Sequence, residues 1–146
     1  MYKFITNNYK QTQKLGKEMA KNILGKEAGK HALFLGLKGD LGGGKTTFLQ
    51  GFAEGLGIKE KITSPTFVIM KRFKINKSGF EKFYHIDCYR IKNEKDILYL
   101  GLKNIILDPK NILAVEWPEK IKKIIPKSAT VIKFKWLDKN KREINF

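Results

Sequence analysis

The apolar positions recur at two periods along the chain, and the change of period marks its elements. Leu15, Met19, Ile23 and Leu24 fall at helical spacing, so the pattern predicts a helix over residues 12–24, ended by Gly25. Residues 32–37 (ALFLGL) form a short apolar run of the kind a buried parallel strand shows. Phe48, Leu49, Phe52 and Leu56 return to helical spacing, with Gly57 as the stop. Pro65 interrupts the next segment, and a strand is expected to begin near Thr66. The cluster 76–79 (NKSG) reads as a turn between two strand-like runs, 67–75 and 80–89, and so predicts an antiparallel hairpin. Asn93 is expected to cap a short helix that runs through Leu100 and ends near Gly101. Residues 112–115 (ILAV) read as a second buried strand, and Pro118 as the first residue of a short helix. Residues 130–136 alternate, and 138–141 form a turn into a last strand. The whole predicts one α/β domain over residues 1–146. Its sheet is mixed, with parallel core strands, antiparallel hairpin edges and helices on both faces.

Size and composition add limits to this picture. A chain of 146 residues can bury its own core. No apolar run approaches the ~20 residues that span a bilayer. The first eight residues hold no apolar segment of a secretion signal, and Cys88 is the only cysteine. A cytoplasmic protein with no membrane contact is expected. The formal charge of +16 suggests nucleic acid, but only Arg72, Arg90 and Arg142 of the 30 basic residues are arginine. Dedicated nucleic-acid readers lean on the arginine fork. Lysines spread along the chain, beside abundant Ile and Asn, read instead as AT-rich coding and a solvated surface. A weak RNA-facing surface is the most this charge supports.

The chemistry concentrates in residues 39–46, GDLGGGKT, which match the phosphate-loop pattern G-x-x-x-x-G-K-[ST]. Glycines let the backbone turn tightly and aim consecutive N–H groups at a phosphate. Lys45 would reach the β- and γ-phosphates, and the Thr46 hydroxyl would sit on Mg²⁺. The apolar strand before the loop and the helix after it supply the required context, with the helix N-terminus adding positive potential. Hydrolysis also needs acids, and in open α/β sheets these sit at the C-terminal ends of core strands. Asp87 follows the run 83–86, and Glu116 follows 112–115. The hydroxyls of residues 63–66 (TSPT) suit a segment near the γ-phosphate, or an ordinary turn. His85 shares a strand face with Asp87, but two groups do not make a zinc site, and a structural histidine is the simpler reading. Packing is the simpler reading for Trp117 and Cys88.

Four blocks, 39–48 (GDLGGGKTTF), 64–67 (SPTF), 84–90 (YHIDCYR) and 116–119 (EWPE), resemble the TsaE (YjeE-type) proteins of bacteria, as does Gly101-Leu102 between the last two. The blocks stand in family order across nearly the whole chain. The resemblance implies a phosphate-loop ATPase required for threonylcarbamoyladenosine, the modified adenosine beside the anticodon of ANN-decoding tRNAs. It implies binding to the TsaB–TsaD heterodimer and an ATP cycle that resets that pair, without transfer of the threonylcarbamoyl group. Proximity to tRNA through the complex is compatible with it, whether tRNA is contacted directly stays open, and the free protein is expected to be a monomer. Carried over by position, the cofactor ATP is bound by Thr12, Gly39, Asp40, Leu41, Gly42, Gly43, Gly44, Lys45, Thr46, Thr47 and Arg142. Mg²⁺ is held by Thr46 and Glu116, and Lys45, Asp87 and Glu116 carry the catalysis. Which of the two acids places the attacking water stays open. Gly43 replaces the family's usual alanine and Cys88 its usual leucine.

A small metabolite kinase shares the loop and acids but needs an arginine-bearing lid, which three scattered arginines do not provide. A GTPase lacks its guanine-reading N-K-x-D, since neither 76–79 nor 93–96 fits. An RNA module with a degenerate loop would not keep Lys45, Thr46, Asp87 and Glu116. No arginine finger is evident in cis, so slow hydrolysis is expected without a partner.

Overall fold

The computed structural model describes residues 1–64 and 69–146. The strand start expected near Thr66, the first part of the run 67–75 and most of the 64–67 block therefore lie outside the described residues. A seven-stranded mixed sheet organises the rest: β1 (Lys3–Thr6), β2 (Leu33–Lys38), β3 (Met70–Lys77), β4 (Phe80–Asp87), β5 (Asn111–Glu116), β6 (Thr130–Trp136) and β7 (Arg142–Asn145). Their spatial order is β1-β7-β6-β2-β5-β4-β3. The four central strands, β6, β2, β5 and β4, run parallel. Antiparallel partners close both flanks: β3 on β4, and β7 then β1 beyond β6.

Side chains alternate across a strand, so each central strand serves two cores. On one face Leu35, Leu37, Phe83, Ile112, Ala114 and Ile132 pack under α1 (Tyr9–Leu24) and α2 (Lys45–Gly55). On the other, Phe34, Tyr84, Ile86, Leu113 and Val115 meet Ile97 of α3 (Lys95–Leu98), Leu102 and Ile106 of α4 (Leu102–Leu107), and Ile121 of the 3₁₀ segment Pro118–Ile124. Helices on both faces of a mixed sheet are thus observed.

Helix α1 starts three residues before the expected Thr12. Asn8 is the reason: its side chain accepts from the Gln11 N–H at 2.9 Å, while the Gln11 side chain accepts from the Asn7 N–H at 2.8 Å. The buried stripe of α1 is Thr12, Gly16, Ala20 and Ile23, and Leu15, Met19 and Leu24 only flank it. Small residues let α1 lie directly on α2. A Cβ at Gly51 would stand 1.8 Å from the Gln13 carbonyl oxygen, and one at Gly16 would stand 2.1 Å from that of Phe48.

Elsewhere the elements shift by small, explicable amounts. The hairpin turn shrinks to Ser78-Gly79, both at positive φ, which matches the twist of the flanking strands. Strand β4 ends at Asp87, where the expected run went on to residue 89, because the chain turns over the Asp87 carboxylate onto the Tyr89 N–H. Asn93 does not cap α3. Glu94 holds that position without a side-chain bond, and Asp96 accepts from the N–H groups of Lys92 and Asn93 instead. Gly101, at φ 79°, both ends that segment and starts α4. Neither α4 nor β1 is evident from the pattern, α4 for its six residues and β1 because its partner lies at the far end of the chain.

Candidate functional site

The C-terminal ends of β2, β4 and β5 open into a cavity of about 830 Å³. The 39–46 loop leaves β2 and delivers Lys45 to the first turn of α2. Gly44, the residue before the helix, has φ 101°, a conformation that a side-chain-bearing residue adopts only with strain. The Gly44 carbonyl accepts from the Phe48 N–H and begins the helical ladder. Among the described residues no side chain caps this N-terminus, so its N–H groups suit a ligand.

Lys45 is buried, 5 % exposed. Its ammonium donates to the backbone carbonyls of Gly39 and of Asp40, the latter at 3.0 Å, and lies 4.8 Å from the centre of the Trp117 ring. Burial holds its pKa below the ordinary lysine value, against the opposing pull of Glu116, Asp87, Asp40 and Glu119. Thr46, one residue on, shares a hydrogen bond of 3.0 Å with the Ser64 hydroxyl.

Asp87 and Glu116 are register partners on β4 and β5, so two carboxylates stand side by side on the face that carries the loop. Glu116 is buried, and its Oε2 accepts from His85 Nε2 at 2.7 Å. Asp87 is half-buried. Burial raises its pKa, and the Glu116 charge adds to this, while the Tyr89 N–H, His85 and Lys45 act in the other direction. Beside them Cys88 is buried among Asp87, Glu119 and Glu116, and burial first pushes its thiol up to about 12. It packs as an inert group at neutral pH, as the sequence suggests.

Two distant segments complete the wall. Thr12 on α1 bonds the Thr6 hydroxyl at 2.7 Å and lies beside Gly44. Arg142, the first residue of β7, donates from Nε to the Gly42 carbonyl at 2.9 Å and from one terminal nitrogen to the Asp138 carbonyl at 2.7 Å. Of the expected site residues, Thr12, Leu41, Gly42, Gly43, Gly44, Lys45, Thr46, Thr47, Asp87, Glu116 and Arg142 all line the one cavity. Gly39 and Asp40 stand outside its lining, and their carbonyls hold Lys45.

Sequence reasoning missed other parts of the wall. Asn8 and Tyr9 enter with the start of α1, and Lys139 and Asn140 with the β6–β7 turn. The Tyr89 and Trp117 rings lie 5.2 Å apart, tilted by 50°, and Trp117 takes the left-handed conformation, φ 57°. Arg90 also lines the cavity, so two of the three arginines are here. That placement was the available signal in a chain that otherwise uses lysine.

The donor set suits one cation in particular. Among the described residues no cluster of three or more His, Cys, Asp or Glu forms a metal cage. Mg²⁺ takes one or two carboxylates and completes its octahedron with waters and substrate phosphates. A threonine hydroxyl at a helix start and paired carboxylates across the cavity fit that mode.

The fold and this wall define a class: an α/β protein with a phosphate-loop motif between the second strand of its sheet and the helix that follows. A family model for the threonylcarbamoyl adenosine biosynthesis protein TsaE matches residues 6–144. The tRNA threonylcarbamoyladenosine biosynthesis protein TsaE of Bacillus subtilis is 41 % identical over 112 residues, covering 77 % of this chain and 67 % of that protein. The TsaE of Rickettsia prowazekii is 33 % identical over 137 residues, covering 93 % and 88 %. The crystal structure of Bacillus subtilis YdiB superposes with a TM-score of 0.73 at 34 % identity, covering 98 % of this chain and 82 % of that one. The chain belongs to the TsaE family, which takes part in tRNA threonylcarbamoyladenosine biosynthesis.

Proposed function

We propose that this protein binds and hydrolyses ATP with Mg²⁺ as a cytoplasmic accessory factor in threonylcarbamoyladenosine synthesis, and that it acts by binding and resetting the TsaB–TsaD heterodimer. The observation that carries the ATPase reading is the convergence of Lys45, Thr46, Asp87 and Glu116 on one cavity beside an uncapped helix N-terminus. Backbone N–H groups of the loop and α2 would take the phosphates. Lys45 would exchange its two loop carbonyls for phosphate oxygens, whose charge offsets the burial that now disfavours its ammonium. Thr46 and Glu116 would hold Mg²⁺, which on binding neutralises charge on the transferred phosphoryl group. Asp87 keeps a carboxylate at the same strand edge, and its raised pKa suits a group that takes or orients a proton of water. Both partner binding and the assignment to ATP over other nucleotides rest on the family. The complex would bring the protein near tRNA.

The test is Mg²⁺-dependent ATP hydrolysis, alone and with the matching TsaB–TsaD pair. Slow turnover that the pair stimulates supports the reading. Brisk turnover indifferent to the pair would instead favour a kinase and a screen of phosphoryl acceptors. Within the site, Lys45→Ala is expected to abolish nucleotide binding. Glu116→Ala should spare the part of the binding that needs no Mg²⁺ and lose Mg²⁺-dependent turnover. Normal turnover in both variants would end the assignment.

A further inference from the structure

We infer that His85 is a positioning residue for the Mg²⁺ site: its Nε2–H fixes the Glu116 carboxylate in the orientation that meets the ion. The inference rests on the nucleotide reading above and adds a residue to it. His85 is wholly buried and Glu116 nearly so, and their Nε2–Oε2 distance is 2.7 Å. With the carboxylate as acceptor, Nε2 carries the proton of this bond. The other ring nitrogen, Nδ1, is buried and has no hydrogen-bond partner among the described residues.

That orphan atom separates a positioning role from a packing role. A buried polar atom with no partner disfavours the folded state, and an apolar side chain would fill the same space without that penalty. Among the described residues one nitrogen has no partner, and the other is spent on the carboxylate. The strand register gives the bond its direction. His85 pairs with Ala114, two residues before Glu116 on the neighbouring parallel strand, so the ring reaches the carboxylate from behind and below the loop. Asp87, also two residues on, flanks the same carboxylate from the side. A carboxylate held by this ring nitrogen loses its freedom to rotate. This is how outer-shell partners tune metal ligands.

The experiment measures AMP-PNP affinity by calorimetry in Mg²⁺ and again in EDTA. The ratio of the two isolates the contribution of the ion from folding and from phosphate binding. His85→Leu should leave the EDTA affinity within about twofold and cut the Mg²⁺ gain by about tenfold or more, the usual cost of losing an outer-shell partner. His85→Gln, whose amide nitrogen falls near the position of Nε2, should restore most of the gain. His85→Asn, whose amide falls near Nδ1, should not. The two amide variants carry the comparison if the leucine variant folds poorly. An undiminished Mg²⁺ gain in His85→Leu overturns the inference. So does a parallel loss in Mg²⁺ and EDTA, which marks a merely structural histidine, and so does equal behaviour of Gln and Asn. If the wild-type protein itself shows no Mg²⁺ gain, the nucleotide reading falls and takes the inference with it, an outcome distinct from the other three.

Discussion

Asp87 and Glu116 stand at paired positions on neighbouring strands, yet their surroundings set them different tasks. Glu116 has a buried donor in His85, whereas Asp87 has one backbone N–H, from Tyr89, and loses hydration. Burial raises the Asp87 pKa above the value of an exposed aspartate, so ionising it costs the folded protein more than the unfolded one. Below the unfolded value, near 3.9, both states are protonated and no cost exists. The cost grows as pH rises toward the folded pKa and is complete above it. Asp87→Asn, which keeps the oxygen that accepts from Tyr89, should therefore raise the thermal midpoint at pH 7, with the advantage fading toward pH 4. Turnover in the same variant should fall by about a hundredfold or more, the scale of a lost proton-transfer group. Thermal unfolding at the two pH values, beside ATPase rates, checks both halves. An asparagine variant less stable than wild type at pH 7 would contradict the account of the raised pKa. The two acids were legible in the sequence because each directly follows an apolar strand. The role of His85 was not, because no local pattern shows which cross-strand neighbour a buried ring will touch.

The glycines of α1 and α2 belong to the scale of elements. Helical periodicity revealed both helices, α1 from Leu15, Met19, Ile23 and Leu24 and α2 from Phe48, Leu49, Phe52 and Leu56. Of those large residues of α1 only Ile23 is in the buried stripe, with the small Thr12, Gly16 and Ala20, while Leu15, Met19 and Leu24 flank it. A hydrophobicity pattern cannot reveal a contact made of absent side chains. For the same reason it could not place the start of α1, which depends on the polar cap at Asn8. Gly51→Ala would set a methyl group 1.8 Å from the Gln13 carbonyl, a backbone atom that can yield only by moving the helix. Overpacking of this kind costs about 1–3 kcal/mol, and a rigid backbone neighbour points to the upper end. The expected result in urea is a lower midpoint with an unchanged slope. Because Thr12 rides on α1 beside Gly44, the same variant should also weaken nucleotide binding. Asn8→Ala makes a gentler companion. It removes the cap at a cost of about 1 kcal/mol without touching the helix contact. A silent Gly51→Ala would mean that the helices are farther apart than the structure shows.

At the scale of the molecule, the cavity is assembled from segments far apart in the chain, and the sheet order brings them together. The loop and the two acids come from central strands, while Thr12 and Arg142 enter from α1 and from β7 near the opposite edge. Sequence motifs showed the central part well because strand, loop and helix are contiguous there. The peripheral part needs the β1–β7–β6 flank, which closes only when the two chain ends pair. A ligand held by all of these segments would link the stability of one flank to that of the other. Unfolding with Mg²⁺ and nucleotide should then remain a single transition and move upward as a whole. At a concentration a hundredfold above the dissociation constant, binding adds about 2.7 kcal/mol. For a chain of this size that is a shift of about 5–10 °C. Arg142 is the sharpest probe of the coupling, because its side chain ties the β6–β7 turn to the loop at Gly42. Arg142→Ala should lose much of the nucleotide-induced shift while the ligand-free midpoint changes little, since these are exposed bonds to carbonyls that water can replace. Arg142→Lys should recover only part of it, since an ammonium cannot span both carbonyls as the guanidinium fork does. Scanning calorimetry of the three proteins, with and without ligand, decides the point. Full retention of the shift in Arg142→Ala would remove the β7 flank from the binding site and confine it to the loop and the two acids.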